Sequence, residues 1–175
     1  MRILCDPEEH LTPSAKSYDW LGSGIYFWEG SLARAWDWAR SYESRGKIKK
    51  AFVLGAVIDL KHCLDMFDSG SSEQVLAAYQ SLESFMHQSQ TPMPENTGAA
   101  ALDKPARHLD CAVMNTLHQM RKDRKLPAYD SVRGAFLEGN AIYPDAGFRS
   151  HTHIQICVRT TACIKGYFKP INAQA

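Results

Sequence analysis

Gly22-Ser23-Gly24-Ile25-Tyr26-Phe27-Trp28, followed after a short polar break by Ala33-Arg34-Ala35-Trp36-Asp37-Trp38-Ala39, is the stretch on which the fold reading turns. A glycine pair permits a tight turn, and the apolar and aromatic run after it reads as a short strand. Ser31 can cap a helix that runs to about residue 42. In that helix Leu32, Ala35, Trp36 and Ala39 recur at the spacing of a buried face, which leaves Arg34, Asp37 and Arg40 for water. Tyr26, Trp28, Trp36 and Trp38 therefore crowd a single strand-to-helix joint, as the lining of a pocket would.

Working outward, the basic run Lys47-Ile48-Lys49-Lys50 closes this unit, and residues 51–60 read as a mostly buried strand. Residues 72–88 fit a helix whose stripe is Val75, Leu76, Tyr79, Leu82, Phe85 and Met86. Pro92, Pro94 and Gly98 predict a flexible loop near residues 89–103. A second long helix fits 106–124, with Leu109, Cys111 or Ala112, Val113, Leu117 and Met120 inward and a basic end that suits the helix dipole. Residues 132–139 read as a short strand or loop, 152–158 alternate as a strand, and 163–168 read as a piece that returns beside it. Strands and helices are mixed without regular alternation, so an α+β domain spanning 1–175 is expected, with a split mixed or antiparallel sheet and flanking helices.

A chain of 175 residues is long enough for one self-sufficient core. Hydrophobic residues make 45% and charged residues 22%, an ordinary globular balance that argues against global disorder. A net charge of +1 sets up no overall field that would recruit nucleic acid or membrane. The amino terminus turns acidic before any signal-peptide run forms, and no apolar stretch is long enough for a membrane span. Five cysteines, an odd count, read as reduced thiols in a cytoplasmic protein.

The common phosphate-binding glycine motifs are absent, and Gly22-Ser23-Gly24 by itself fits a turn as well as a ligand approach. On the strand at 152–158, His151, His153, Gln155 and Cys157 share one side, while Thr152, Ile154, Ile156 and Val158 share the other. The second side is core, and the first is a row of polar groups suited to a cleft or to a solvated sheet face. Donors two apart on a flat strand converge poorly on one ion, so no metal is expected there. Cys157 beside His153 forms no triad. Glu138, next to a glycine in Phe136-Leu137-Glu138-Gly139, could accept hydrogen bonds from a ribose or stand solvated. The basic cluster from Arg121 to Lys125 lacks interleaved aromatics and reads as a solvated helix end.

In this order the pieces resemble the ADP-ribosyltransferase fold, in the branch that includes diphtheria toxin and the poly-ADP-ribose polymerases. The resemblance rests on Leu21-Gly22-Ser23-Gly24-Ile25-Tyr26-Phe27 with the small-residue helix through Ala33, Ala35 and Ala39. Phe52-Val53-Leu54-Gly55-Ala56-Val57 and the pair of segments 152–158 and 164–168 extend it, so that it touches about half the chain. It implies a cleft that binds NAD as substrate, with Tyr26 stacked on nicotinamide and Trp36 or Trp38 closing the other face of the ring. Gly24 would let the backbone approach the carboxamide or ribose. His153, Gln155 and Glu138 would hold ribose and assist cleavage of its bond to nicotinamide, with ADP-ribose passing to a protein, nucleic-acid or small-molecule acceptor.

Two positions depart from the family pattern. No His-Gly-Ser or His-Gly-Thr precedes Gly24, so the chain either starts one strand late or completes its cleft in another way. His153 falls nearest the place of the family's catalytic glutamate, and Gln155 follows it on the same face. A non-catalytic relative that binds NAD or ADP-ribose, or that serves as an interaction module, is the alternative, and a soluble α+β domain with no nucleotide connection is a third reading.

Overall fold

A computed structural model describes residues 2–4, 6, 9–98 and 104–171. In chain order the elements are β1 (Ile25–Trp28), α1 (Leu32–Ser44), β2 (Gly55–Ile58), β3 (Cys63–Asp65), α2 (Ser69–Gln88), β4 (Asn96–Thr97) and β5 (Ala106–Arg107). They continue with α3 (His108–Asp123), β6 (Ser131–Phe136), β7 (His153–Val158) and β8 (Ile164–Phe168). The fold is α+β with split sheets: four strands in the order β1-β7-β6-β3, and a separate antiparallel pair, β2 and β8. In the larger sheet β7 runs antiparallel to both β1 and β6, while β3 is parallel to β6.

The expectation that residues 163–168 return beside the strand at 152–158 needs correction. Both edges of β7 are already bonded, one to β1 and one to β6, so the returning chain has no ladder to join. A single 3-10 turn, Thr161–Cys163, carries it out of the first sheet, and β8 pairs with β2 instead. The strand expected over 51–60 is correspondingly short, because only Gly55 to Ile58 faces β8.

This split produces two cores. On one face of the larger sheet Leu64, Val132 and Cys157 pack with Ala78 and Leu82 of α2, Val113, Met114 and Leu117 of α3, and Leu21 and Tyr129. On the other face Ile25, Ile156 and Val158 pack with Cys163 and Ile164 and with Phe27, Ala56 and Ile58. Within α2, Ala78 and Leu82 carry the burial, whereas Leu76 and Phe85, placed on the predicted stripe, are 56% and 64% exposed. They sit off the line that meets α3, so periodicity assigned them to the core one step too generously.

The loop expected near 89–103 is partly built. Asn96 and Thr97 pair with Arg107 and Ala106, and the Asn96 side-chain oxygen accepts the backbone amides of Leu109 at 2.9 Å and Asp110 at 3.2 Å. Asn96 thereby caps α3 from a distance, where the adjacent Arg107 makes no side-chain cap bond. Residues 99–103 of that expectation lie outside the described residues.

Candidate functional site

The site grows from the β6–β7 hairpin. Phe136 stands opposite His153, Gly134 opposite Gln155 and Val132 opposite Cys157, and the His151 amide donates to the Glu138 carbonyl at 3.1 Å, carrying the same register one step further. Because opposed residues in an antiparallel pair share a face, Glu138 projects on the side of His153 and Gln155. On the other flank of β7, Trp28 is opposite Gln155 and Tyr26 opposite Cys157, so β1 contributes its aromatic side chains to the same face. Helices α2 and α3 cover the Cys157 end. At the His153 end the covering groups are Trp28 with Trp38 beside it, Phe136 and Trp20.

A directed chain of hydrogen bonds fixes the polar row. The Trp20 indole N–H donates to Gln155 Oε1 at 2.6 Å, Gln155 Nε2 donates to His153 Nε2 at 2.9 Å, and His153 Nδ1 donates to the His151 carbonyl at 2.7 Å. This order sets one tautomer for His153, protonated on Nδ1, because Nε2 must accept. The His153 side chain is 2% exposed and stacks on Phe136, with ring centroids 5.4 Å apart. Burial, aided by the nearby Arg34 guanidinium, holds its pKa below the usual histidine value, so the ring is neutral at pH 7. Gly134 makes room for the first donor, since a methyl group there would stand 2.9 Å from the Trp20 ring.

Glu138 closes the group. Its Oε2 accepts from Arg34 Nη2 at 2.8 Å and lies 3.8 Å from His153 Nδ1, with Arg34 and Glu138 side chains 16% and 31% exposed. The helix face that periodicity assigned to water therefore turns Arg34 inward, because a carboxylate waits there to pair with it. Two buried donors in this neighbourhood, Trp28 Nε1 and Arg34 Nε, have no partner among the described residues.

The structure brings Glu138, His153 and Gln155 together with Trp38 close by, turns Trp36 elsewhere, and sets Tyr26 at the Cys157 end of the same face, where it also lines the neighbouring groove. Trp36 stacks under Arg40 at 5.4 Å, while Trp38 lies 5.7 Å from Trp28 and stacks on Tyr42 at 3.8 Å. Positions 36 and 38 are about 200° apart around a helix, so only one can face the strand. Tyr26 serves the turn before it: its hydroxyl accepts the Leu21 amide at 3.0 Å and donates to the Gly22 carbonyl at 2.8 Å, and its ring packs against the helical core. Burial drives its pKa well above the ordinary phenol value. Gly24 is required by packing, since a methyl group there would stand 2.5 Å from the Val158 carbonyl oxygen and 2.6 Å from Cys157 Sγ.

Sequence reasoning counted Trp28 among the pocket-lining aromatics without a specific role, and overlooked the parts played by Trp20, Arg34 and Phe136. The available signal was the β6–β7 register: counting by twos from Val132 places Gly134, Phe136 and Glu138 on one face. For Arg34 no local signal exists, because its partner lies 104 positions away.

Beside this group a groove of about 690 Å³ runs between β1, α1 and the second sheet. Phe27, Ile58 and Ile156 are among its apolar lining, α1 contributes Leu32, Ala35 and Trp38, and Trp28 borders both groove and polar group.

Compared with known proteins, the chain matches no family model, and no curated protein or solved structure matches it. Among the described residues no group of His, Cys, Asp and Glu has the arrangement to hold a metal ion, and no helix is long and apolar enough to cross a membrane. The described cysteines are free thiols, and burial pushes Cys157 up to about 12, which leaves it protonated and a poor nucleophile.

Proposed function

We propose that this chain is an NAD-dependent mono-ADP-ribosyltransferase-like protein whose working carboxylate is Glu138. The observation that carries the reading is the convergence of Glu138, His153 and Gln155 at 3.8 and 2.9 Å beside the Trp28 and Trp38 indoles. NAD is the substrate on this reading, and the groove volume lies within the range of small-molecule sites. A cationic nicotinamide ring is attracted to an indole face, a role that falls to Trp28 and Trp38.

Both ring nitrogens of His153 are already bonded, so it acts as a positioning residue. Gln155 links it to Trp20 and keeps one amide hydrogen for a ribose hydroxyl. Of the three, Glu138 alone carries a negative charge, which is what stabilises positive charge developing on ribose as the C–N bond opens. The acceptor is a protein or a nucleic acid. The second reading, a non-catalytic NAD- or ADP-ribose-binding or interaction module, is favoured by the Arg34 contact, which partly neutralises that charge.

The test has two stages. NAD should quench tryptophan fluorescence in wild type and in Trp36→Phe, with weaker binding in Trp28→Phe and Trp38→Phe; no quenching up to millimolar NAD defeats both NAD-linked readings. Nicotinamide release should then fall by about 10²-fold in Glu138→Gln. Binding without release in wild type selects the non-catalytic reading, and unchanged release in Glu138→Gln removes Glu138 from the mechanism.

A further inference from the structure

Strand β1 is an edge strand of the larger sheet, bonded on one side only. The Glu29 amide donates to Ile154 of β7, whereas Gly24 exchanges two backbone hydrogen bonds with Ser14 on the opposite side, at 2.8 and 3.0 Å. Backbone groups of an antiparallel strand alternate between its two neighbours. Ile25 and Phe27 therefore bond towards β7, while Tyr26 and Trp28, like Gly24, turn their N–H and C=O groups outward. None of the described residues bonds to those outward groups. The Ser14–Gly24 bridge is thus the first rung of a ladder that stops after one step. The chain before Ser14 does not continue the ladder: the Leu11 amide and the His10 ring bind the Tyr167 hydroxyl of β8 instead.

The vacated edge forms one wall of the 690 Å³ groove, with Tyr26, Phe27 and Trp28 all lining it. The groove mouth carries Ile48 and Phe52, 36% and 45% exposed. Lys47, Lys49 and Lys50 flank Ile48, are exposed, and take part in no ion pair among the described residues.

We propose that the open edge of β1 binds an extended polypeptide with acidic flanks, added antiparallel to β1 in the register that Ser14 begins. Strand addition satisfies the amides and carbonyls of Tyr26 and Trp28. It also removes the aggregation hazard of an unpaired edge. A residue of the added chain opposite Phe27 shares its face and seats in the apolar groove, so alternate positions of the partner are apolar. The basic loop selects the acidic flank. This inference rests on backbone geometry, and because it seats a side chain in the groove that the transferase reading gives to NAD, the two occupants exclude one another.

The probe is a fluorescein-labelled, amidated peptide, Asp-Val-Ser-Val-Ser-Val-Asp, titrated by fluorescence anisotropy against the full chain without NAD. Saturable binding is expected, weakened several-fold between 50 and 500 mM salt on the order of a Debye-screened contact. Two analogues carry N-methyl groups on alternate amides, one set on the serines and one on the valines. The serine set, opposite Tyr26 and Trp28, faces β1 and should weaken binding at least ~10-fold, while the valine set faces away and should change it less than ~2-fold; the reverse order overturns the register proposed. No saturation at millimolar peptide, or equal loss with both analogues, overturns the proposal. A dimer seen by sedimentation that the peptide does not disperse also overturns it, because a second copy then holds the edge. NAD quenching measured separately keeps this outcome distinct from that of the transferase reading.

Discussion

Replacing Gly24 with alanine separates two accounts of the same glycine. If it exists to admit a ligand, a methyl group should leave stability alone and abolish NAD binding. The structure assigns it to packing: the new Cβ would meet the Val158 carbonyl oxygen at 2.5 Å and Cys157 Sγ at 2.6 Å, whereas ordinary contact begins at 3.4 Å, so something must move by about 0.9 Å. Both obstacles belong to β7, which is bonded on both edges, so relief comes by pushing Gly24 away. That movement strains without breaking the two bonds to Ser14, at a cost of about 1 kcal/mol for the pair. Together with an overpacking penalty of about 1–3 kcal/mol, a loss of about 2–4 kcal/mol is expected. In urea the midpoint should fall by about 1–2 M at an m-value of about 2 kcal/mol/M. Gly147→Ala, where a methyl group meets nothing within 4 Å, is the control and should stay within about 0.5 kcal/mol. Combining Gly24→Ala with Cys157→Ala removes the sulfur obstacle and keeps the carbonyl, so a double-mutant cycle should show coupling of about 0.5–1 kcal/mol. An unchanged midpoint for Gly24→Ala together with lost NAD quenching would refute the packing argument.

Two further predictions concern parts distant from the polar group. Asn96→Ala removes the acceptor for the Leu109 and Asp110 amides and should cost about 1 kcal/mol. In a thermal melt that is a drop of about 2–4 °C, and an equal drop in Thr97→Ala would deny the capping role. His118 is held down to about 4 by burial, with Arg159 and Arg121 adding to the effect, against an ordinary 6.5. The unfolded chain takes up this proton below about 6.5 while the folded chain resists it until about 4, so stability present at pH 7 is lost as pH falls through that window. His153, lowered in the same direction, contributes with the same sign. The urea midpoint should therefore fall from pH 7 to pH 5 in wild type and fall less in His118→Gln; parallel profiles would assign the loss to other groups.

Much of the framework was legible in the residues themselves. The Gly22–Gly24 turn, the strand at Ile25–Trp28 and the Ser31-capped helix follow from local chemistry, and so do the long helices around Leu82 and Val113. The alternation that places His153 and Gln155 on one face of β7 is a property of the strand alone. Pairing was not legible, because it depends on which edges other segments have already taken. β8 reads like a neighbour of β7 and joins β2, since β7 has no free side.

The same limit governs the site. Sequence by itself determined that an aromatic strand and a polar strand exist, because turn and strand preferences act over a few residues and need no distant partner. Only the tertiary structure decided that Arg34 meets Glu138, that Trp38 rather than Trp36 stands beside Trp28, and that Tyr26 holds its own turn. Those outcomes are set by long-range register and by the cost of leaving a buried charge or donor unpaired, quantities that a local stretch of chain does not contain.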